Sequence, residues 1–219
     1  MPRGKIKKQS THVDMTAMCD VAFLLLTFFI LVGKFKPAEA VAVTPPASVS
    51  NKMAPEKDFF MVTIDKDNKV YISMDDVLKE DVLNQVGKIK GISFSDADIQ
   101  AFKKTSFVGV PLSQLKQYDN LTPEDQAKVS LPGIPSDSTN NELLTWITAA
   151  VQAAQGTQAK FLIKADGASL YPTFKKAIDA FKKNDVFKYN LVTNAAEVPK
   201  GSELWKKNIE GLMGKDKNE

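Results

Sequence analysis

One stretch constrains this chain more than any other. Met15 to Gly33 reads MTAMCDVAFLLLTFFILVG, 19 residues with a single charge, Asp20. As a helix it would be about 28 Å long, close to the roughly 30 Å hydrocarbon core of a bilayer. A soluble core helix of that length shows a polar face. Here Val21 to Phe29 is apolar throughout, broken only by Thr27. Residues 13–34 therefore read as a transmembrane helix. A cleaved secretory signal is the competing reading, with a basic start, an apolar run and Ala38-Glu39-Ala40 as a small-x-small cleavage site. The length of the run, its phenylalanines and the acid at its head argue for the span.

Flanking charge sets the orientation. Residues 1–12 hold Arg3, Lys5, Lys7 and Lys8 and no acid, whereas Lys34 to Pro45 hold two Lys and one Glu. The positive-inside rule places a basic tail, 1–12, in the cytoplasm and the large C-terminal part across the membrane. The rest of the composition narrows the field. The 219 residues suffice for one domain with an appendage or two small domains, and 43% hydrophobic with 25% charged residues fits neither a disordered chain nor a multi-span protein. Residues 1–36 carry net +4, so the chain total of +3 leaves the remaining 183 residues at −1. Such a domain has no cationic excess for phosphates, and nucleic acid is not an expected partner. Cys19 is the one cysteine and His12 the one histidine. That excludes an intramolecular disulfide, a multi-cysteine zinc site and a multi-histidine metal site; no cofactor and no enzymatic activity are expected. An Asp/Glu or Ser/Lys site is not excluded by this count.

Asp20 is the residue to explain. A carboxylate in hydrocarbon costs at least about 2.5–3.5 kcal/mol. Lys34 lies fourteen residues on, about 21 Å by helix rise, too far to neutralise it. Desolvation favours the neutral acid, so binding and releasing a proton is the chemistry open to Asp20. Thr16, four residues before it, and Thr27, seven after, fall within about 40° of it around the helix and would complete a polar stripe. Such a stripe turns toward other helices rather than lipid. The plainer alternatives are that Asp20 snorkels to the headgroups and that each Thr bonds its own backbone. Cys19 reads as a small apolar filler, His12 as a solvated residue of the tail and Asp14 as an acid at the positive end of the helix.

Residues 35–58 contain Pro37, Pro45, Pro46 and Pro55 among small residues and read as an extended linker. The domain at 59–219 is expected to be small and α+β. Phe59 to Ile64 and Val70 to Ser73 read as a hairpin around Asp65–Asn68, Met74 to Ile89 as an amphipathic helix, and Asn141 to Gln155 as a helix ended by Gly156. Between them, about 90–141 shows little regularity beyond a helix start at Thr122-Pro123-Glu124. Lys160 to Ala165, Leu170 to Lys183 and Phe187 to Thr193 then form a C-terminal βαβ unit, followed by a short amphipathic helix over 202–213. Asp166 between strand and helix reads as a turn or cap residue, and Lys164 and Tyr171 as ordinary surface or packing residues.

These features together resemble the ExbD/TolR family. Asp14-Met15-Thr16-Ala17-Met18-Cys19-Asp20 is similar to the family pattern N-V-T-P-F-I-D, with Thr16 and Asp20 in register. Val43-Thr44-Pro45-Pro46-Ala47-Ser48 is a fainter counterpart of V-D-L-P-A-S, with Thr for the acid and Pro for the leucine. Phe161–Asp166, Tyr171 and Tyr189–Thr193 resemble the end of the family's periplasmic domain, and about 90–141 resembles an insertion. The resemblance implies a single-pass inner-membrane protein with a periplasmic domain, present as two copies inside a ring of an ExbB/TolQ-like multi-span partner. Asp20 would carry protons inward and the motion would pass to a TonB-like or TolA-like protein. The lean is toward ExbD. The alternatives are a TolR-like or MotB-like anchor whose domain binds peptidoglycan or another envelope component, and a secreted enzyme freed of its first 40 residues.

Overall fold

A computed structural model of the chain describes residues 15–32, 41–50, 54–55, 57–122, 125–126, 129–137, 140–203 and 205–206. Readings that fall on the basic tail, His12, Asp14, Lys34, the 38–40 site, Pro123, Glu124, and Ile209 to Met213 lie outside these residues. Two compact units emerge, Met1–Pro37 and Ala38–Glu219. Among the described residues the first contains one helix, α1 (Met15–Val32), apolar and long enough to cross a membrane, with no buried residue. A soluble core helix of this composition would be mostly covered.

The second unit is built on a four-stranded sheet. Its strands are β2 (Phe59–Ile64), β3 (Val70–Met74), β4 (Lys160–Ala165) and β5 (Asn190–Val192), in the order β3-β2-β4-β5. β2 is antiparallel to β3 and parallel to β4, and β4 is parallel to β5. The hairpin turn is tied by Asp65, whose carboxylate accepts from the Lys69 N–H at 2.8 Å and from the Tyr71 hydroxyl at 3.1 Å. Burial, reinforced by that carboxylate, pushes the Tyr71 phenol up.

Register decides the core. Phe60, Val62 and Ile64 stand beside Met74, Ile72 and Val70 on one side and Phe161, Ile163 and Ala165 on the other. Period-two alternation puts them all on one face. That face packs against α2 (Asp76–Lys90), α5 (Glu142–Ala153) and α6 (Tyr171–Lys182). The unit β4–α6–β5 is the expected βαβ, with its two strands adjacent and parallel.

Among its described residues the stretch read as irregular carries the helices α3 (Asp96–Lys104) and α4 (Leu112–Asp119). A capping box at Ser95 and Asp98 starts α3. The stretch is not an appended loop. Phe102, Val108, Val110, Leu112, Leu115, Tyr118 and Ile134 all join the core, with Phe102 stacked on Trp146 at 6.0 Å. It also covers the β3 edge: Ile72 and Val108 exchange backbone hydrogen bonds at 2.9 and 2.7 Å, and the Ile134 N–H donates to the Val70 carbonyl at 2.8 Å. Gly109 lies against the Tyr71 ring, where a β-carbon would sit 2.6 Å from it.

Phe181 is fully buried, edge-on to Phe161 at 5.6 Å and stacked with Tyr189 at 6.0 Å. Phe181→Ala removes the ring that joins α6 to β4 and leaves a cavity. A loss of about 3–5 kcal/mol is expected, read as a lower urea midpoint by tryptophan fluorescence of the full chain in detergent.

Candidate functional site

Asp20 is the one charged residue of α1. Thr16 and Thr27 are one turn before it and two turns after it, on the same side of the helix by the 100° rotation per residue. Thr27 donates its hydroxyl to the Leu24 carbonyl at 2.9 Å, so this polar group is satisfied within its own helix. Cys19 is an exposed free thiol beside Asp20. α1 thus carries a carboxylate on a rod apolar on every other side. Such a rod is stable in lipid only where a partner or cavity meets the acid.

In the second unit the region of interest is the segment by which the chain enters it. Residues 41–50 form a strap. Its two-residue strand β1 (Ala47–Ser48) runs parallel to β6 (Asn194–Ala195). The Asn194 and Ala196 N–H groups donate to the Pro46 and Ser48 carbonyls at 3.1 and 2.9 Å, and the Asn194 amide donates to the Pro45 carbonyl at 3.1 Å. The segment aligned with V-D-L-P-A-S is therefore paired with its own domain.

Asp166 anchors the other end of the strap. One carboxylate oxygen accepts from the Ala168 N–H and the other from the Thr44 N–H, both at 2.8 Å, while the Gly167 N–H donates to the Thr44 carbonyl at 3.0 Å. The first of these bonds is the expected turn role. The second joins positions 122 residues apart. Charge-assisted bonds from Ala168 and Thr44 hold the Asp166 carboxyl below the usual carboxylate range. Tyr171 opens α6 with its ring exposed, and Lys164 is half-buried on β4.

Between the strap and β5 lies an open cleft of about 660 Å³, lined by Ser48, Ser50, Pro55, Leu162 and Asn190 among others; among the described residues of its lining Lys160 is the one that is charged. Among the described residues no group of three His, Cys, Asp or Glu is placed to hold a metal.

The family model described as biopolymer transport protein ExbD/TolR matches residues 7–196. The chain belongs to the ExbD/TolR family. Comparison with curated proteins and with solved structures found no match. The matched range extends from the basic tail past α1 and the strap to β6, and Asp20 and Asp166 both lie within it. Membership and the single apolar helix fit a single-pass membrane protein of biopolymer transport, working in membrane complexes of the ExbB/TolQ kind.

Asp166→Ala removes the acceptor for Thr44 and leaves the β1–β6 pairing in place. Faster amide exchange is expected at Thr44 and Gly167, with β2 and β4 unchanged. Because the native carboxyl is held low, the wild-type strap keeps this contact above the ordinary carboxylate range and loses it as pH falls through the lowered native value. Exchange measured against pH checks both points.

Proposed function

We propose that this chain is the proton-coupling, ExbD-like subunit of an inner-membrane motor that energises outer-membrane transport through a TonB-like protein. The observation that carries the reading is one carboxylate, Asp20, isolated on a helix otherwise fit for lipid, in a chain of the ExbD/TolR family. In this reading residues 1–12 are cytoplasmic and the α/β domain periplasmic. The energetics suffice: one charge crossing the membrane releases about 2.3 kcal/mol per 100 mV. Asp20 takes a proton from the periplasmic side, crosses the apolar region neutral, and gives the proton up toward the cytoplasm. Each change of charge alters which surface of a surrounding ExbB/TolQ-like ring α1 prefers, and that difference moves the helix. Two copies of the chain would let one acid load while the other discharges. The domain then passes the motion on by contact, and this reading asks for no catalytic residue in it.

The test is Asp20→Asn, which keeps shape and removes the titration. Uptake of a labelled iron chelate through a TonB-dependent receptor is expected to fall to background. Membrane levels of the chain and co-purification with its multi-span partner are expected to stay within about twofold of wild type. Normal uptake with normal assembly would overturn the reading and favour a TolR-like or MotB-like envelope-binding anchor.

A further inference from the structure

The segment carrying α3 and α4 is fastened to the rest of the domain by charged groups at helix ends. Lys79 of α2 is buried, and its ammonium donates to the Lys103 and Thr105 carbonyls at the C-terminus of α3, at 2.9 and 2.8 Å. Glu142 of α5, also buried, accepts from the Leu112 N–H at the N-terminus of α4, at 2.7 Å. A cation at the negative end of one helix and an anion at the positive end of the next are both favourable.

Asp119 breaks this pattern. It is the last residue of α4, at the negative end of that helix, and it is 9% exposed. Lys79 is the cation facing it from α2, but that ammonium is bonded to two carbonyls and to Asp76 at 2.7 Å. From α3 it faces Asp98, a like charge, which takes up Lys116 at 3.1 Å. Tyr118 beside it is a buried phenol that the Asp119 charge pushes further up. Among the described residues the Asp119 carboxylate has one hydrogen bond, from the Thr105 hydroxyl at 3.0 Å. That hydroxyl also lies 3.4 Å from the Ala101 carbonyl of α3.

We propose that Asp119 is a proton-responsive latch: protonated, it holds the α3–α4 segment closed on α2, and ionised, it loosens it. The hydroxyl has one hydrogen, so the two states are wired differently. With Asp119 ionised, Thr105 donates to the carboxylate. When solvent supplies a proton, Asp119 donates to the Thr105 oxygen, and the Thr105 hydrogen turns to the Ala101 carbonyl. The second arrangement links α4 to α3 through two neutral bonds and leaves no charge at the helix end.

Burial, with Asp98 acting in the same direction, outweighs the opposing Thr105 hydrogen bond and Lys79 charge and pushes the Asp119 carboxyl up to about 6. The sign follows. A raised native value means that the closed segment binds the proton more tightly than the open one. Its added stability is complete below the ordinary carboxyl value of 3.8 and is lost as pH rises through about 6. The opening equilibrium should change on the order of 100-fold between those limits. The latch operates whether or not Asp20 carries protons.

Amide exchange of the full chain in detergent, corrected for intrinsic rates, tests this between pH 4.5 and 7.5. Protection across 95–120 is expected to fall by on the order of tenfold or more toward high pH, while β2 and α5 serve as internal controls. Asp119→Asn is expected to hold the segment closed at both ends of the range. Thr105→Val, which removes the donor to the carboxylate, should move the midpoint to higher pH. A wild-type segment whose protection tracks the controls would overturn the latch. So would an Asp119→Asn protein with unchanged pH dependence. A midpoint unmoved in Thr105→Val would overturn the hydroxyl's part, and that variant carries the test should Asp119→Asn not fold.

Discussion

The parallel pairing of β2 with β4 is the contact on which the second unit depends. It joins Phe59–Ile64 to Lys160–Ala165, about a hundred residues apart, and places Phe60, Val62 and Ile64 at the centre of the core. Parallel neighbours cannot be joined by a tight turn. Here the whole run from β3 to β4, with α2, α3, α4 and α5, makes the crossover. The 90–141 stretch is thus an extension of an obligatory connection, and its apolar residues are buried because the connection must lie on the sheet. Closing so long a loop is entropically costly, and the aromatic set Phe60, Phe161, Phe181 and Tyr189 on β2, β4, α6 and the approach to β5 offsets that cost where the strands meet.

The two edges of the sheet are treated differently. At β3 the exchanges with Val108 and Ile134 satisfy outward-facing backbone groups, so this edge offers no row of free donors and acceptors. Beyond β5 the chain turns at once into β6, which takes up the strap. The strap buries little, Pro45 being its one buried residue, and rests on backbone hydrogen bonds, the Asn194 amide and the Asp166 carboxylate. Such a contact opens at lower cost than the core. It is also the segment by which the chain, coming from α1, enters the domain before β2.

Local patterns were readable wherever one face of an element repeats. KFLIKA reads as a strand, and the apolar spacing of Leu143, Leu144, Ile147, Ala150 and Val151 reads as a helix, because burial on one face leaves a period in the sequence. α4 has a weaker pattern, LSQLKQYD, and starts after Pro111 without a side-chain cap, so its stripe of Leu112, Leu115 and Tyr118 is short and easily read as loop. α3 did carry a signal, since Ser95 and Asp98 have the spacing of a capping box. Strand β5 begins at Asn190 rather than Phe187, whose ring is exposed, because only Asn190 to Val192 find partners on β4.

The sequence by itself determined α1, its lone acid and the alternation of the sheet, because hydrophobic length and period are properties of neighbouring residues. Asp20 could be singled out without a fold, since a charge in an apolar run is anomalous wherever the helix lies. Only the tertiary structure decided what Asp166, Lys79, Glu142 and Asp119 do. Each looks like an ordinary polar residue in its own segment. The Thr44 amide met by Asp166, the α3 carbonyls met by Lys79, the α4 amide met by Glu142 and the hydroxyl beside Asp119 all come from other segments. A buried charge takes its meaning from the partner that compensates it, and that partner is set by how the chain returns on itself.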